Sequence, residues 1–115
     1  MSRKTDYRNV PEEQGHCGMI RKLVDDRKDI SMVYLRVQDA ELHYHKITTE
    51  YYWIMKGTGK IQLDDETRDI SAGDLVEITP GTRHRAFDEN SLEILVIMSP
   101  ALRPDDIYRH YKYRG

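Results

Sequence analysis

The stretch from Ile30 to Leu63, "ISMVYLRVQDAELHYHKITTEYYWIMKGTGKIQL", decides the fold of this chain. Short runs of β-branched and aromatic residues, "ISMVYLRV", "LHYHKI", "YYWIMK" and "KIQL", are broken by the turn-forming "DAE" and "GTG". The rhythm continues downstream through "DDETRD", "LVEI", "TPGTRH" and "SLEILVIMS". Turn signals recurring about every 8 to 12 residues mark an antiparallel sandwich or barrel. The runs are too short, and the gaps too poor in helix formers, for strands alternating with helices. The fold class predicted is all-β.

On either side of this core the signals weaken. Residues 1–15, "MSRKTDYRNVPEEQG", are charged and carry a Pro and a Gly, so they read as an arm without a core of its own. The segment "GMIRKLVDD" reads as either a short helix or a strand: Met19, Ile20, Leu23 and Val24 fit helical spacing, but four apolar positions decide little. At the other end "DDIYRHYKYRG" interleaves tyrosines with basic residues, a pattern that can track a single nucleic-acid strand. The plainer reading is a tail, residues 100–115, that lays its tyrosines on the barrel or on a second subunit.

Composition bounds the function. At 115 residues the chain holds one domain, 1–115, with the strand-rich core at about 30–99. It is 33% charged and 38% hydrophobic with 8 tyrosines, enough for a small core under a polar surface. The 18 basic and 20 acidic residues nearly cancel, so no overall field draws in nucleic acid or an anionic membrane. No apolar stretch reaches the roughly 20 residues of a membrane-spanning helix. One cysteine, Cys17, allows no internal disulfide, and the first fifteen residues contain no apolar run of a secretion signal; a cytoplasmic location is expected.

The chemistry sits at His43 and His45. Side chains alternate along a strand, so these two share a face roughly 7 Å apart and can hold one ion between them. Glu50 follows after the short "KITT" link and opens the next strand, with Tyr52 on the same parity and Tyr51 and Trp53 on the other. A third imidazole, His84, follows the Pro80-Gly81 turn at the start of a later strand. Three neutral imidazoles and a carboxylate suit Fe, Mn, Ni, Co or Zn, and disfavour Ca and Mg, which want oxygen ligands.

The segment His43 to Gly57, "HYHKITTEYYWIMKG", resembles the first motif of the cupin family, and Gly73 to Asp88, "GDLVEITPGTRHRAFD", resembles the second. Three positions depart from the pattern: Val37 and Thr79 stand where glycine and proline are expected, and Asp88 stands for the terminal asparagine. None is a ligand position. The resemblance implies a small jelly-roll-like β-barrel with one divalent transition metal on His43, His45, Glu50 and His84. It also implies a homodimer, with Trp53 a candidate contact.

For function the resemblance implies a metal-dependent enzyme on a small polar metabolite, first of the dioxygenase or oxidase type. A cupin isomerase, epimerase or lyase using the metal as Lewis acid is the alternative, and a non-catalytic binder of a sugar or organic acid is another. Tyr52 is the candidate catalytic residue from this chain. Tyr34 and Arg36 have ambiguous parity; an inward Arg36 could pair with an anionic substrate, but surface exposure is the expectation. Asp88 and Glu89 are read as a turn, with Asp88 able to orient a neighbouring group, and His16, Cys17 and His110 as bystanders.

Overall fold

The computed structural model describes residues 2–109. Nine strands form one curled antiparallel sheet: β1 Glu13–Gln14, β2 Gly18–Val24, β3 Ser31–Val37, β4 His43–Tyr44, β5 Thr49–Leu63, β6 Glu66–Ser71, β7 Leu75–Ile78, β8 His84–Ser99 and β9 Tyr108–Arg109. The only helical pieces among the described residues are single 3-10 turns at Tyr7–Asn9 and Pro104–Asp106. "GMIRKLV" is therefore a strand. It pairs with β3 from Gly18↔Val37 to Val24↔Met32, and its apolar residues pack on the sheet rather than along a helix face.

Two long strands build the frame. β5 and β8 run antiparallel from Thr49↔Ser99 to Leu63↔His84. One half of this pair carries β3 and β7 at its flanks; the other carries β4 and β6. Bulges between Ile54 and Gly59 bend the pair at its middle, so that the two halves curl toward each other. This corrects two sequence expectations. "GTG" does not separate two strands, and Asp88 and Glu89 do not form a turn: both segments are bulges inside continuous strands.

Turn-forming residues mark the bend because a bulge needs them as a turn does. Gly57 adopts φ +85°, and a Cβ there would lie 2.3 Å from the carbonyl oxygens of Asn90 and Ser91. Opposite it Ser91 takes φ 50°, and the Asp88 carboxylate accepts the N–H of Leu92 at 2.8 Å. Asp88 thus holds the backbone of the bulge, not a group at the histidine cluster.

The core lies inside the curl. Ile54, Ile61, Leu92 and Ile94 are at most 1% exposed and join Leu35, Tyr52, Ile78, Val96 and Met98 in one cluster. Each such aliphatic side chain contributes about 1.5–3 kcal/mol on burial. In β3, Leu35 and Val37 join this cluster, while Tyr34 and Arg36 face out beneath the N-terminal arm. There Tyr7 stacks on Tyr34 at 4.8 Å and Glu12 pairs with Arg36 at 3.2 Å. The tail docks similarly: Tyr108 stacks on Tyr44 at 5.2 Å, and Lys46 Nζ lies 4.3 Å from the Tyr108 ring. His110, Tyr111 and Tyr113 lie outside the described residues. No helix among the described residues is long and apolar enough to cross a membrane.

Candidate metal centre

The four residues of the ligand quartet meet at one end of the curl. His43 lies in β4 and pairs with His84 at the start of β8, His45 follows just past β4, and Glu50 enters from β5 opposite Met98 and Ile78. All four are buried, and one ligand atom from each lies within 4.8 Å of every other. Even spacing carries Glu50 and Tyr52 to the same inner face, while Trp53 stays 43% exposed on the outer one.

Backbone carbonyls fix the three imidazoles. His43 Nδ1 donates to Glu41 O at 2.8 Å, His45 Nδ1 to Asp106 O at 2.7 Å and His84 Nδ1 to Thr82 O at 2.9 Å. With Nδ1 protonated, each ring turns an Nε2 lone pair inward. Glu50 Oε1 sits 2.8 Å from both His45 Nε2 and His84 Nε2. Those are ion-pair distances only if the rings carry a second proton. Without it, three buried atoms meet that lack a hydrogen-bond partner of their own. Converging lone pairs with orphaned buried acceptors are what a divalent cation satisfies, at bonds of about 2.0–2.2 Å. The residues fit a metal.

The electrostatics agree. Burial, then the neighbouring His84, pushes His43 down to about 3, so the ring is neutral at physiological pH. Burial works to raise the Glu50 carboxyl, but His45 and His84 hold it below the usual carboxylate range. Burial likewise opposes charge on His45, and Glu50 outweighs it, so His45 lies above its ordinary value.

Three residues that sequence reasoning set aside also belong here. His16 and Cys17, read as bystanders, reach the centre because the β1–β2 connection folds over it. His16 Nε2 is 3.3 Å from His43 Nε2, and Cys17 Sγ is 4.0 Å from His43 Nδ1. Burial lowers the His16 pKa and pushes the Cys17 thiol up to about 12, so neither is charged near neutrality. The third is Asp106, 1% exposed, from the tail. Its carboxylate accepts the N–H groups of Lys46, Ile47 and Thr48 at 2.9, 3.1 and 3.2 Å, while its carbonyl takes the His45 Nδ1–H. No local pattern in sequence announces contacts made across 27 and 58–60 residues.

A cavity of about 80 Å³ opens against His43 and Glu50. Its walls are apolar, from Ile20, Val33, Leu35, Val96, Met98 and Leu102, and Tyr52 stands beside Glu50 at its polar end. Tyr52 is 3% exposed, its ring 6.2 Å from that of His84. Burial, then Glu50, raises its pKa well above the ordinary phenol value, so it stays protonated. Arg36 pairs with Glu12 outside this cavity and meets no ligand bound there.

Comparison with known proteins agrees with this fold. Residues 32–98 match the family described as Cupin domain. A 56-residue segment is 39% identical to "Uncharacterized protein MJ1618" of Methanocaldococcus jannaschii, covering 49% of this chain and 45% of that relative, under half its length. Among solved structures, Streptomyces Pac13, described as a unique nucleoside dehydratase, superposes with a TM-score of 0.83 at 19% identity over 96% of this chain and 92% of its own. A protein from Planctomyces limnophilus gives 0.84 at 23% identity, over 94% and 96%. Bacillus subtilis oxalate decarboxylase gives 0.72 at 19% identity over 91% of this chain, which spans 31% of that larger one. At these identities the likeness is one of fold.

Proposed function

We propose, from the premise that the chain belongs to the cupin family, that it is a metal-dependent enzyme acting on a small molecule, with His43, His45, Glu50 and His84 holding one divalent transition metal. The observation carrying this reading is the convergence of carbonyl-fixed imidazoles and a buried carboxylate beside a small cavity. When bound, the metal supplies a Lewis acid and, if redox-active, a route to dioxygen.

The chain's own residues set what that chemistry meets. At about 80 Å³ the cavity is far below the several hundred Å³ of a drug-sized pocket, so it suits a ligand of few atoms. The walls favour a short apolar body behind a polar head that faces Glu50. Tyr52, held protonated, donates a hydrogen bond to that head and does not remove a proton from it. Cys17 is likewise a thiol rather than a base. When dioxygen oxidises an enol, diol or hydroxy acid, the reduced oxygen takes up the substrate's protons or is incorporated into the product, so Tyr52 and Cys17 need not act as bases, and this dioxygenase or oxidase reading is preferred.

A Lewis-acid isomerase or lyase is the second reading, favoured by the half-buried, neutral His16 at the cavity, which can accept a proton. The dehydratase and decarboxylase neighbours share only the fold. Oxygen uptake over a panel of small enols, diols and hydroxy acids under Fe, Mn, Ni and Co separates the readings. Uptake that disappears in His84→Ala supports the oxidase; product formation with Zn and no uptake supports the Lewis-acid enzyme. Thermal shifts by sugars or organic acids without turnover would leave a binding protein and overturn both.

A homodimer forms part of the same proposal. Trp53, Met55 and Leu75 are 43%, 40% and 61% exposed on the outer face of β5 and β7, where Trp53 pairs in register with Leu75. A second copy covering this face would bury the exposed apolar residues.

A further inference from the structure

A fourth histidine brings a ring nitrogen to the edge of the centre, against His43. His16 lies on the connection between β1 and β2, and that connection is held tightly. Gly15 N–H donates to Gly18 O at 2.8 Å and Gln38 N–H to Cys17 O at 3.0 Å. Gly18, at φ +142°, lets the loop lie on β3: a Cβ there would be 2.1 Å from Arg36 O. The loop delivers the His16 ring edge-to-face on His43, centroids 4.6 Å apart at 86°.

The two rings face each other through Nε2, at 3.3 Å. Because His43 Nδ1–H is donated to Glu41 O, the Nε2 of His43 is a lone pair. A hydrogen bond between the two nitrogens would be long. The separation instead resembles that of neighbouring ligands on one ion with bonds of about 2.1 Å, which is about 3 Å at a right angle. His16, Cys17 and His43 form a separate metal-capable group that shares His43 with the quartet; His16 does not lie within 4.8 Å of all four quartet atoms, so its ring must close in when an ion draws the ligands together. Cys17 approaches Nδ1 of His43, the nitrogen already committed to Glu41, and is not included.

We propose that His16, supplied by the β1–β2 connection, is a fifth protein ligand of the ion held by His43, His45, Glu50 and His84; this rests on reading that cluster as a metal centre. Five protein ligands leave one position on a six-coordinate ion. Substrate then binds through a single atom or displaces His16, which accepts a proton only once it is off the ion, so the β1–β2 connection helps decide what the site accepts.

The test is NMR on protein carrying nitrogen-15 histidine, titrated with cadmium-113, because scalar splitting of a ring nitrogen by the metal reports a direct bond. The expected result is splitting at Nε2 of His16, His43, His45 and His84 together, and binding of Cd²⁺ by His16→Ala about 10- to 100-fold weaker. Splitting at the other three with His16 unsplit overturns this inference alone, as does unchanged affinity in His16→Ala. No splitting at His43, His45 or His84 overturns the metal centre itself, and the inference with it.

Discussion

Replacing Asp106 should loosen the fold and the metal centre together, although Asp106 is no ligand. Its carboxylate takes three backbone N–H groups from the loop that follows His43, and its carbonyl takes the His45 Nδ1–H. In Asp106→Ala the N–H of Thr48, a residue 2% exposed, is left buried and unpaired, at about 1–3 kcal/mol. The other two donors lie on more exposed residues and regain water in part, adding about 0.5–1.5 kcal/mol each. The sum is about 2–6 kcal/mol, a large share of the 5–15 kcal/mol typical of a domain. Asp106→Asn is the milder variant. Its amide oxygen can keep Ile47 and Thr48, both bound by one carboxylate oxygen, while its NH₂ opposes the N–H of Lys46. About 1–2 kcal/mol is expected, or a Tm lower by about 4–8 °C in calorimetry. With the His45 loop less constrained, Zn²⁺ affinity by titration calorimetry should fall about tenfold. Asp106→Ala melting with the native chain, or Asp106→Asn binding Zn²⁺ unchanged, would refute the reasoning.

Asp106 also sets an acid limit. Burial works to raise its carboxyl, but the N–H groups of Lys46, Ile47 and Thr48 prevail and lower it, so its stabilisation is complete above the unfolded value of about 3.9 and is lost as pH falls through the lower folded one; Asp106→Asn should flatten the metal-free chain's stability profile below about pH 4. Gly57→Ala should destabilise by at least about 2 kcal/mol in urea, since the added Cβ meets two carbonyl oxygens, whereas Gly73→Ala, where φ is +97° but nothing lies within 4 Å, should be milder; equal losses would contradict the bend. Tyr52→Phe should bind metal like the native chain and lose turnover on whichever substrate the oxygen-uptake panel yields; full turnover would remove Tyr52 from the reaction. Trp53→Glu should shift a dimer to monomer in analytical ultracentrifugation without changing metal content, and a native chain that sediments as a monomer would remove the proposed interface.

The parts of this molecule written locally were legible in its sequence. Strand rhythm gave the all-β class, and β7, Leu75–Ile78, coincides with the run "LVEI" that precedes the Pro80-Gly81 turn. Period two on β5 put Glu50 and Tyr52 on the inner face and Trp53 on the outer. Part of what stayed hidden has one cause: residues with two structural uses. Gly57, Asp88 and Ser91 have the chemistry of turns, yet here they bend two unbroken strands, because β5 and β8 pair along their whole length and the sheet must curl at its middle. His16 and Asp106 were missed for another reason. Each sits in a polar terminal segment, and each acquires its meaning from a contact with the β4 region that only the closed sheet creates.

The central claim is that four buried side chains hold a metal, and metal content measures it most directly. Protein purified without an affinity tag and reconstituted with Fe²⁺, Mn²⁺, Ni²⁺, Co²⁺ or Zn²⁺ in turn should retain one ion per chain with at least one of them, after exhaustive dialysis. His84→Ala should retain almost none. A native chain that stays well below one ion per chain with every metal would contradict the account.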